Sequence, residues 1–328
     1  MTLAEVARLA EVSEITVSRI LRNKGPIAQY TRERVMAAVR EVGYLPNRLA
    51  GGLASSGSGL MGVVAPSLTN IVFPEVLRGI HAALDQSGFQ AVIGVTDYHM
   101  DEEEKLVEAL LAWKPEAMVI AGFDHTDRTR HFLETSGIRI AEVMEIDSKP
   151  VDIAVGLSHR RAGFATAKYL LERGYRRLGY VGHDWASDRR AKLRYDGLAA
   201  CLAQAGLSLV DEALFDGPSS IMAGRDMLAR LLSRSPQIDA VAFSNDDMAT
   251  GGVFHCISAC ITVKKDVAIF GFNGLDIGQV LPTPLSTIRS NRYLIGKIAV
   301  EKILEQRERP GQSTIVDTGF EIVTGSTA

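Results

Sequence analysis

The stretch that decides the fold is Thr2–Asn23, TLAEVARLAEVSEITVSRILRN, continued by Gly25–Leu53, GPIAQYTRERVMAAVREVGYLPNRLAGGL. Thr2 followed by Glu5 is a capping box, so a helix starts there. Leu3, Val6, Ala7 and Ala10 then recur at i, i+3, i+4 and i+7, giving one apolar face. Glu11-Val12 is the turn. Ser13 can cap a second helix by accepting a bond from a backbone N–H two or three residues on. Ile15, Val17, Ile20 and Leu21 are the apolar residues of that helix, and Ile15 lies off the stripe set by the other three. A third helix is predicted from Thr31 to Gly43, a natural C-terminal cap. Three short helices this close fold as a small bundle.

The exposed face of the second helix carries Glu14, Ser18, Arg19 and Arg22, with Ile15 also facing out. A helix-turn-helix lays such a helix in the DNA major groove, its N-terminal residues toward base edges. Arg19 can fork onto a guanine or clamp a phosphate. Ser13, Thr16 and Ser18 are short donors suited to phosphate oxygens. The alternative is a solvated amphipathic helix of any α-helical protein.

The surrounding residues decide between the two. Val12-Ser13, Thr16-Val17-Ser18-Arg19, Leu21, Asn23, Thr31-Arg32-Glu33-Arg34-Val35, Gly43-Tyr44, Pro46-Asn47-Arg48-Leu49-Ala50 and Leu53 form linked blocks in one order. This pattern resembles the LacI/GalR family of bacterial repressors, and the resemblance runs to the C-terminus. Pro66-Ser67-Leu68-Thr69-Asn70, Val76-Leu77-Arg78-Gly79-Ile80, Asp152-Ile153-Ala154-Val155-Gly156 and Asp276-Ile277-Gly278-Gln279-Val280 look most like the gluconate-utilisation members. The resemblance implies a dimer contacting double-stranded operator DNA through Ser13, Glu14, Ile15, Thr16, Ser18, Arg19, Asn23, Thr31, Tyr44, Asn47 and Arg48. It further implies a hinge helix over the first part of Leu49–Gly59, with Leu53 wedged into the minor groove. Gly51 and Gly52 depart from that pattern, because each glycine costs a helix interior about 1 kcal/mol relative to alanine.

Bulk properties agree. The chain has 328 residues, enough for two or three domains, and 46% hydrophobic residues, enough for large cores. Residues 1–60 hold 8 Lys/Arg and 5 Asp/Glu, a charge of +3. Subtracted from 36 and 39, these leave 28 and 34, or −6, for the remainder. A basic head on an acidic body fits a nucleic-acid-binding domain joined to something else. No run approaches the ~18 apolar residues of a membrane span and no signal-peptide pattern opens the chain, so a cytoplasmic protein without membrane contact is expected. Cys201, Cys256 and Cys260 are too few and scattered for a disulfide framework. His255, Cys256 and Cys260 lack a fourth ligand, and the helical spacing reads as buried thiols on one apolar face. Gly57, Gly59 and Gly62 spell G-x-G-x-x-G but precede a strand where a dinucleotide site must follow one. No cofactor and no metal are expected. No Walker A, His-Glu-x-x-His or G-x-S-x-G pattern is present, so an enzyme is not expected.

Beyond the linker, apolar runs at Leu60–Ala65, Phe89–Val95, Ala117–Ala121, Ile138–Met144, Asp152–Val155, Leu178–Val181, Ala240–Phe243 and Val267–Phe272 read as strands. Amphipathic helical stretches fall between them, near Phe73–Ser87, Asp101–Trp113, Asp127–Ser136, Arg160–Arg173, Ala191–Ala205, Ala223–Leu232 and Asp246–Ile257. Two rounds of this alternation imply two similar lobes with parallel, doubly wound sheets and a ligand cleft between them. The resulting fold is multi-domain: an all-α helix-turn-helix head (1–46), a hinge (47–59) and an α/β, two-lobed body (60–328) resembling the type I periplasmic binding proteins. The resemblance implies three crossings between lobes, near Ser158, Ser290 and Val316. It divides the body into a first lobe of 60–158 plus 291–315 and a second of 159–290 plus 316–328.

Effector contacts are expected just after strands, from Ser67, Asn70, Phe73, Glu142, Glu145, Arg190, Arg194, Asn245, Asp246 and Asn273. Amides and carboxylates suit a hydroxyl-rich ligand, and arginine supplies a fork that matches a carboxylate. Simpler roles compete: Asp246 as a helix cap, Glu142 or Glu145 as a strand end, Phe73 as core. The expectation is a dimeric repressor with a small sugar-type effector, a sugar acid such as gluconate. A periplasmic binding protein is the alternative for the body alone, and the head argues against it.

Overall fold

The structure, a computed structural model, describes residues 2–21, 25–45, 58–85, 87–186, 188–305 and 311–328. Expectations for Arg22, Asn23, Asn47, Arg48, the hinge and Leu53 lie outside these residues. The chain divides into two compact units, Met1–Ser58 and Gly59–Ala328.

The head contains α1 (Leu3–Leu9), α2 (Glu14–Leu21) and α3 (Gln29–Val42). The capping box is formed: Glu5 N–H donates to Thr2 Oγ1 at 3.3 Å and Thr2 N–H to Glu5 Oε2 at 2.7 Å. Glu11 makes the turn with φ +48°, steadied by an Arg34 Nη2 bond of 3.3 Å to its carbonyl. Thr16 N–H donates to Ser13 Oγ at 3.2 Å, the cap that starts α2. The third helix begins two residues before the expected Thr31, with Ala28 as N-cap, and ends at Gly43 with φ +64°. Val6, Ala7, Ala10, Val17, Ile20, Val35 and Ala38 close the core.

The body carries two six-stranded sheets. The first is ordered β11-β5-β4-β3-β1-β2, the second β12-β10-β9-β8-β6-β7. The first comprises β1 (Leu60–Ala65), β2 (Gln90–Val95), β3 (Ala117–Ala121), β4 (Arg139–Glu145), β5 (Ile153–Leu157) and β11 (Thr314–Asp317). The second comprises β6 (Leu178–His183), β7 (Asp211–Phe215), β8 (Ala240–Phe243), β9 (Ala268–Asn273), β10 (Ser286–Ser290) and β12 (Phe320–Val323). Both repeat one doubly wound order, and all ladders are parallel except β10–β12. The helices are α4 (Val72–Leu84), α5 (Met100–Ala112), α6 (Asp127–Thr135), α7 (His159–Glu172), α8 (Arg189–Gln204), α9 (Ile221–Arg234), α10 (Asp246–Ser258), α11 (Asp276–Gln279) and α12 (Arg292–Glu305).

Two sequence expectations need correction. The third crossing lies near Val316 but just beyond Asp317, so the first lobe runs past 315, because Val316 and Asp317 pair with Val155 and Gly156 of the first sheet. Cys260 falls past the end of α10, at φ +55°, and is exposed, whereas Cys256 is buried and its thiol is pushed up to about 11 by that burial. In the first sheet, side chains alternate between two apolar layers. Ala141 and Val143 face one, which continues through Leu157 and Leu170 to Phe270 of the second lobe. Ile140 faces the other, with Ile120 and Leu133.

Candidate functional site

On the head, α2 turns Val17 and Ile20 inward and leaves the opposite side free. Ile15 is 72% exposed, which accounts for its position off the apolar stripe. Ser13, Glu14 and Arg19 are exposed, and Thr16 and Ser18 are partly so. Gly25, at φ +80°, lies against the Arg19 guanidinium, where a Cβ would come 2.6 Å from Nη2. Thr31 is half-buried in the first turn of α3, and Tyr44 packs on the head's core. Ser13, Glu14, Ile15 and Arg19 thus lie at the start and along the free side of one helix, an arrangement suited to reading a groove.

In the body, the C-terminal ends of β1, β4, β6, β8 and β9 border a cleft of about 270 Å³. Of the residues proposed from sequence, Ser67, Asn70, Phe73, Arg190, Arg194, Asn245 and Asn273 line it. After β1, Ser67 Oγ accepts from the N–H groups of Thr69 (3.2 Å) and Asn70 (3.1 Å). The Asn70 amide donates to the Tyr98 hydroxyl at 2.8 Å, and its oxygen accepts from Val72 N–H at 3.2 Å. Asn245 caps α10, its Oδ1 taking Met248 N–H at 3.0 Å. Asn273 holds φ +119°, and its carbonyl accepts from Arg292 Nη1.

The cleft's charge is concentrated at the start of α8. Asp188 caps that helix, accepting from Ala191 N–H at 3.1 Å. Its carboxylate lies 3.6 Å from Arg190 Nε, 3.8 Å from Arg194 Nη2 and 3.5 Å from His183 Nε2. Burial opposes its charge, but His183, Arg190 and Arg194 outweigh that and hold the acid well below the usual carboxylate range. Arg194 is buried and lies over the Phe272 ring at 4.1 Å. It donates from Nη2 to the Ser244 carbonyl at 2.9 Å, and its Nη1 lies 3.0 Å from His159 Nδ1. Arg190 leans over the Phe73 ring at 5.6 Å. Arg194 Nε and Arg190 Nη1 are buried without a hydrogen-bond partner among the described residues.

Three expected contacts do not line the cleft. Strand alternation turns Glu142 to the Ile140 side, where it accepts from Val151 N–H at 2.5 Å and sits 3.5 Å from His125 Nε2. Burial works against His125's charge, but Glu103, at 2.6 Å, and Glu142 raise it to about 9. Asp246 faces inward and accepts from Leu275 N–H at 2.7 Å and the Thr287 hydroxyl at 2.6 Å. It joins α10 to β10 and to the N-cap of α11, and burial pushes it up to about 6. Its neighbour Asp247 lines the cleft instead. Glu145 ends β4 fully buried, neither carboxylate oxygen having a partner among the described residues, and burial pushes it up to about 7. Sequence reading missed Tyr98, His159, His183, Asp188 and Asp247. Only Asp188 carries a local signal, as a cap residue just before the Arg190–Arg194 helix.

Among the described residues, no group of three His, Cys, Asp or Glu side chains could hold a metal ion, and no helix is long and apolar enough to cross a membrane.

Comparison with known proteins agrees with this division. Residues 2–47 match the model of the bacterial regulatory proteins of the lacI family, and residues 58–321 that of the periplasmic binding proteins and sugar binding domain of the LacI family. The chain is 39% identical over 324 residues to the HTH-type transcriptional regulator GntR of Pseudomonas aeruginosa, covering 98% of this chain and 94% of that one. It is 34% identical to GntR of Escherichia coli K12, covering 98% and 97%. A solved structure of a LacI family transcriptional regulator from Silicibacter pomeroyi superposes with a TM-score of 0.93 at 41% identity, covering 100% and 99%. With a helix-turn-helix head, a two-lobed sugar-binding body and relatives that match along both, the chain belongs to the LacI family of bacterial regulatory proteins.

Proposed function

We propose that this regulator is a cytoplasmic, dimeric repressor that holds operator DNA through the free side of α2 and is released when a sugar acid, with gluconate the leading candidate, fills the cleft. The observation that carries the effector class is the pair of cleft arginines with unpartnered donors, Arg194 Nε and Arg190 Nη1. A neutral sugar offers these donors no charge. A carboxylate would accept from them and add to the countercharge that Asp188 supplies between the two guanidiniums. Ser67, Asn245 and Asn273 supply hydroxyl and amide groups of the kind a polyol chain pairs with. The likeness of the Pro66–Asn70 and Val76–Ile80 blocks to gluconate-utilisation repressors points the same way. Two heads in a dimer would read the halves of a pseudo-palindrome.

The test is direct. An operator duplex is selected from a random pool with the full-length protein, and its retention is followed by gel shift. Gluconate is expected to release the duplex and glucose to leave it bound. Release by both sugars alike, or by neither, contradicts the proposal.

A further inference from the structure

His159 is not among the groups expected to touch effector, yet it joins the two lobes at the point where the chain first crosses between them. It is the first residue of α7, directly after the crossing at Ser158. Its ring is buried, at 2% exposure. One ring nitrogen, Nε2, lies 3.0 Å from the carbonyl of Met144 in β4 of the first lobe. The other, Nδ1, lies 3.0 Å from Nη1 of Arg194 in α8 of the second lobe. A carbonyl can only accept and a guanidinium can only donate. The ring is therefore the neutral tautomer with its proton on Nε2 and a lone pair on Nδ1. Burial disfavours a second proton, and the charges of Arg194 and Arg190 disfavour it further, so the ring's pKa lies well below the ordinary histidine value.

The surroundings keep this chain of bonds in register. Asp147, just beyond β4, accepts from the backbone N–H groups of His159 at 2.7 Å and Arg160 at 3.2 Å, fastening the start of α7 to the first lobe. Met144 adopts φ +85°, a left-handed conformation that costs a non-glycine residue about 1–3 kcal/mol and persists only where neighbours impose it. Gly156, opposite Met144 in the ladder, has no room for a Cβ, which would lie 2.4 Å from Glu145 N. On the other side, α7 and α8 cross with glycines at both contact points: a Cβ at Gly163 would overlap the Arg194 carbonyl, and one at Gly197 that of Arg160. Arg194 cannot shift along α7 without disturbing His159.

We propose that His159 is a positioning residue that ties the effector-reading guanidinium of Arg194 to the Met144 carbonyl in the first lobe, so that ligand drawn to Arg194 is felt at the crossing between lobes. Its two bonds have separable consequences. The Arg194 bond sets how well effector is held. The Met144 bond sets how far effector changes operator affinity, a coupling that in allosteric proteins typically amounts to roughly 5- to 150-fold. This inference rests on the reading of Arg194 as the effector contact.

The two bonds can be cut one at a time. The asparagine oxygen of His159→Asn stands where Nδ1 was and keeps the Arg194 bond, losing reach to Met144. The glutamine amide of His159→Gln stands where Nε2 was and keeps the Met144 bond, losing the acceptor for Arg194. Each full-length variant is titrated with gluconate by calorimetry and with the selected operator duplex, with and without saturating gluconate. His159→Asn is expected to bind gluconate within about threefold of wild type while its gluconate-induced loss of operator affinity shrinks at least threefold. His159→Gln is expected to show the converse: gluconate affinity about tenfold weaker, with the full change in operator affinity at saturation. Operator affinity without gluconate within twofold of wild type shows that each variant is folded. Wild-type coupling in the asparagine variant, or the same pattern of losses in both variants, overturns the proposal.

If wild-type protein itself ignores gluconate, the effector reading fails, and the bond network is judged without ligand. Imidazole nitrogen spectra of histidine-labelled protein, assigned by the signal lost in His159→Asn, are expected to show a proton on Nε2 and no titration between pH 5 and 8. A proton on Nδ1, or titration near pH 6.5, overturns the network.

Discussion

At the scale of single residues, Glu145 shows how a sequence can name the right neighbourhood and mislead about the role. It stands at a strand end beside the cleft, but its carboxylate is enclosed without a hydrogen-bond partner among the described residues. Burial raises its pKa from 4.5 to about 7 against the opposing pull of Arg190 and Arg189. The folded state then binds more protons than the unfolded chain between those two values, so stability falls as pH rises through this window, and the loss is complete above it. Glu145→Gln removes that loss. Urea unfolding is expected to show the variant more stable than wild type by about 1–3 kcal/mol at pH 8, with the gain vanishing toward pH 4.5. An equal difference at both pH values would contradict a buried, titrating carboxylate. Asp246 misled for a related reason: a carboxylate after a strand looks the same in sequence whether it meets ligand or, as here, the Leu275 amide. On the head, Arg19→Ala is expected to lower operator affinity and, if the guanidinium forks onto a base, to cost about 1–3 kcal/mol of discrimination. Equal weakening on all duplexes in gel shifts would assign it to phosphate.

At the scale of elements, most helices and eight of the twelve strands were legible because apolar periodicity switches between 3.6 and 2, whereas α11, α12, β10, β11 and β12 were not read from sequence. Thr2, Ser13 and Gly43 mark helix ends by caps that the structure forms. The edge strand β7 was not legible: Asp211-Glu212-Ala213-Leu214-Phe215 pairs with β6 at the sheet edge, opens with two acids and has an apolar run of only three residues. Nor was the close crossing of helices, which depends on which face each glycine presents. Gly163 and Gly197 let α7 and α8 meet backbone to backbone, Gly79 and Gly296 do so for α4 and α12, and Gly224 and Gly251 for α9 and α10. Gly197→Ala is expected to destabilise the body by about 1–3 kcal/mol, because the Arg160 carbonyl cannot move aside without shifting α7. It is also expected to weaken effector binding through Arg194. A thermal unfolding midpoint and gluconate affinity both equal to wild type would contradict this crossing.

At the scale of the whole body, the two lobes are joined by more than their three connections. Arg189, in the second lobe, donates to Asp124 at 2.9 Å and Ser148 at 3.3 Å, both in the first. The residues of the ion pair are partly exposed, so the pair is worth at most about 1 kcal/mol, or fivefold in affinity. Arg189→Ala and Asp124→Asn are each expected to weaken gluconate binding by up to that factor, and the double variant no further. Additive losses would mean that the two residues act independently. No motif announces such a contact, because its partners are 65 positions apart and meet only when the lobes face each other.

The central claim, that the cleft reads a carboxylate through its arginines, is tested most directly by calorimetric titration of wild type and Arg194→Ala with gluconate and with glucose. Wild type is expected to prefer gluconate. Arg194→Ala is expected to lose about ten- to a hundredfold on gluconate, the worth of a charged hydrogen bond, while glucose binding changes little. Equal losses for acid and neutral sugar, or no preference in wild type, would contradict the account.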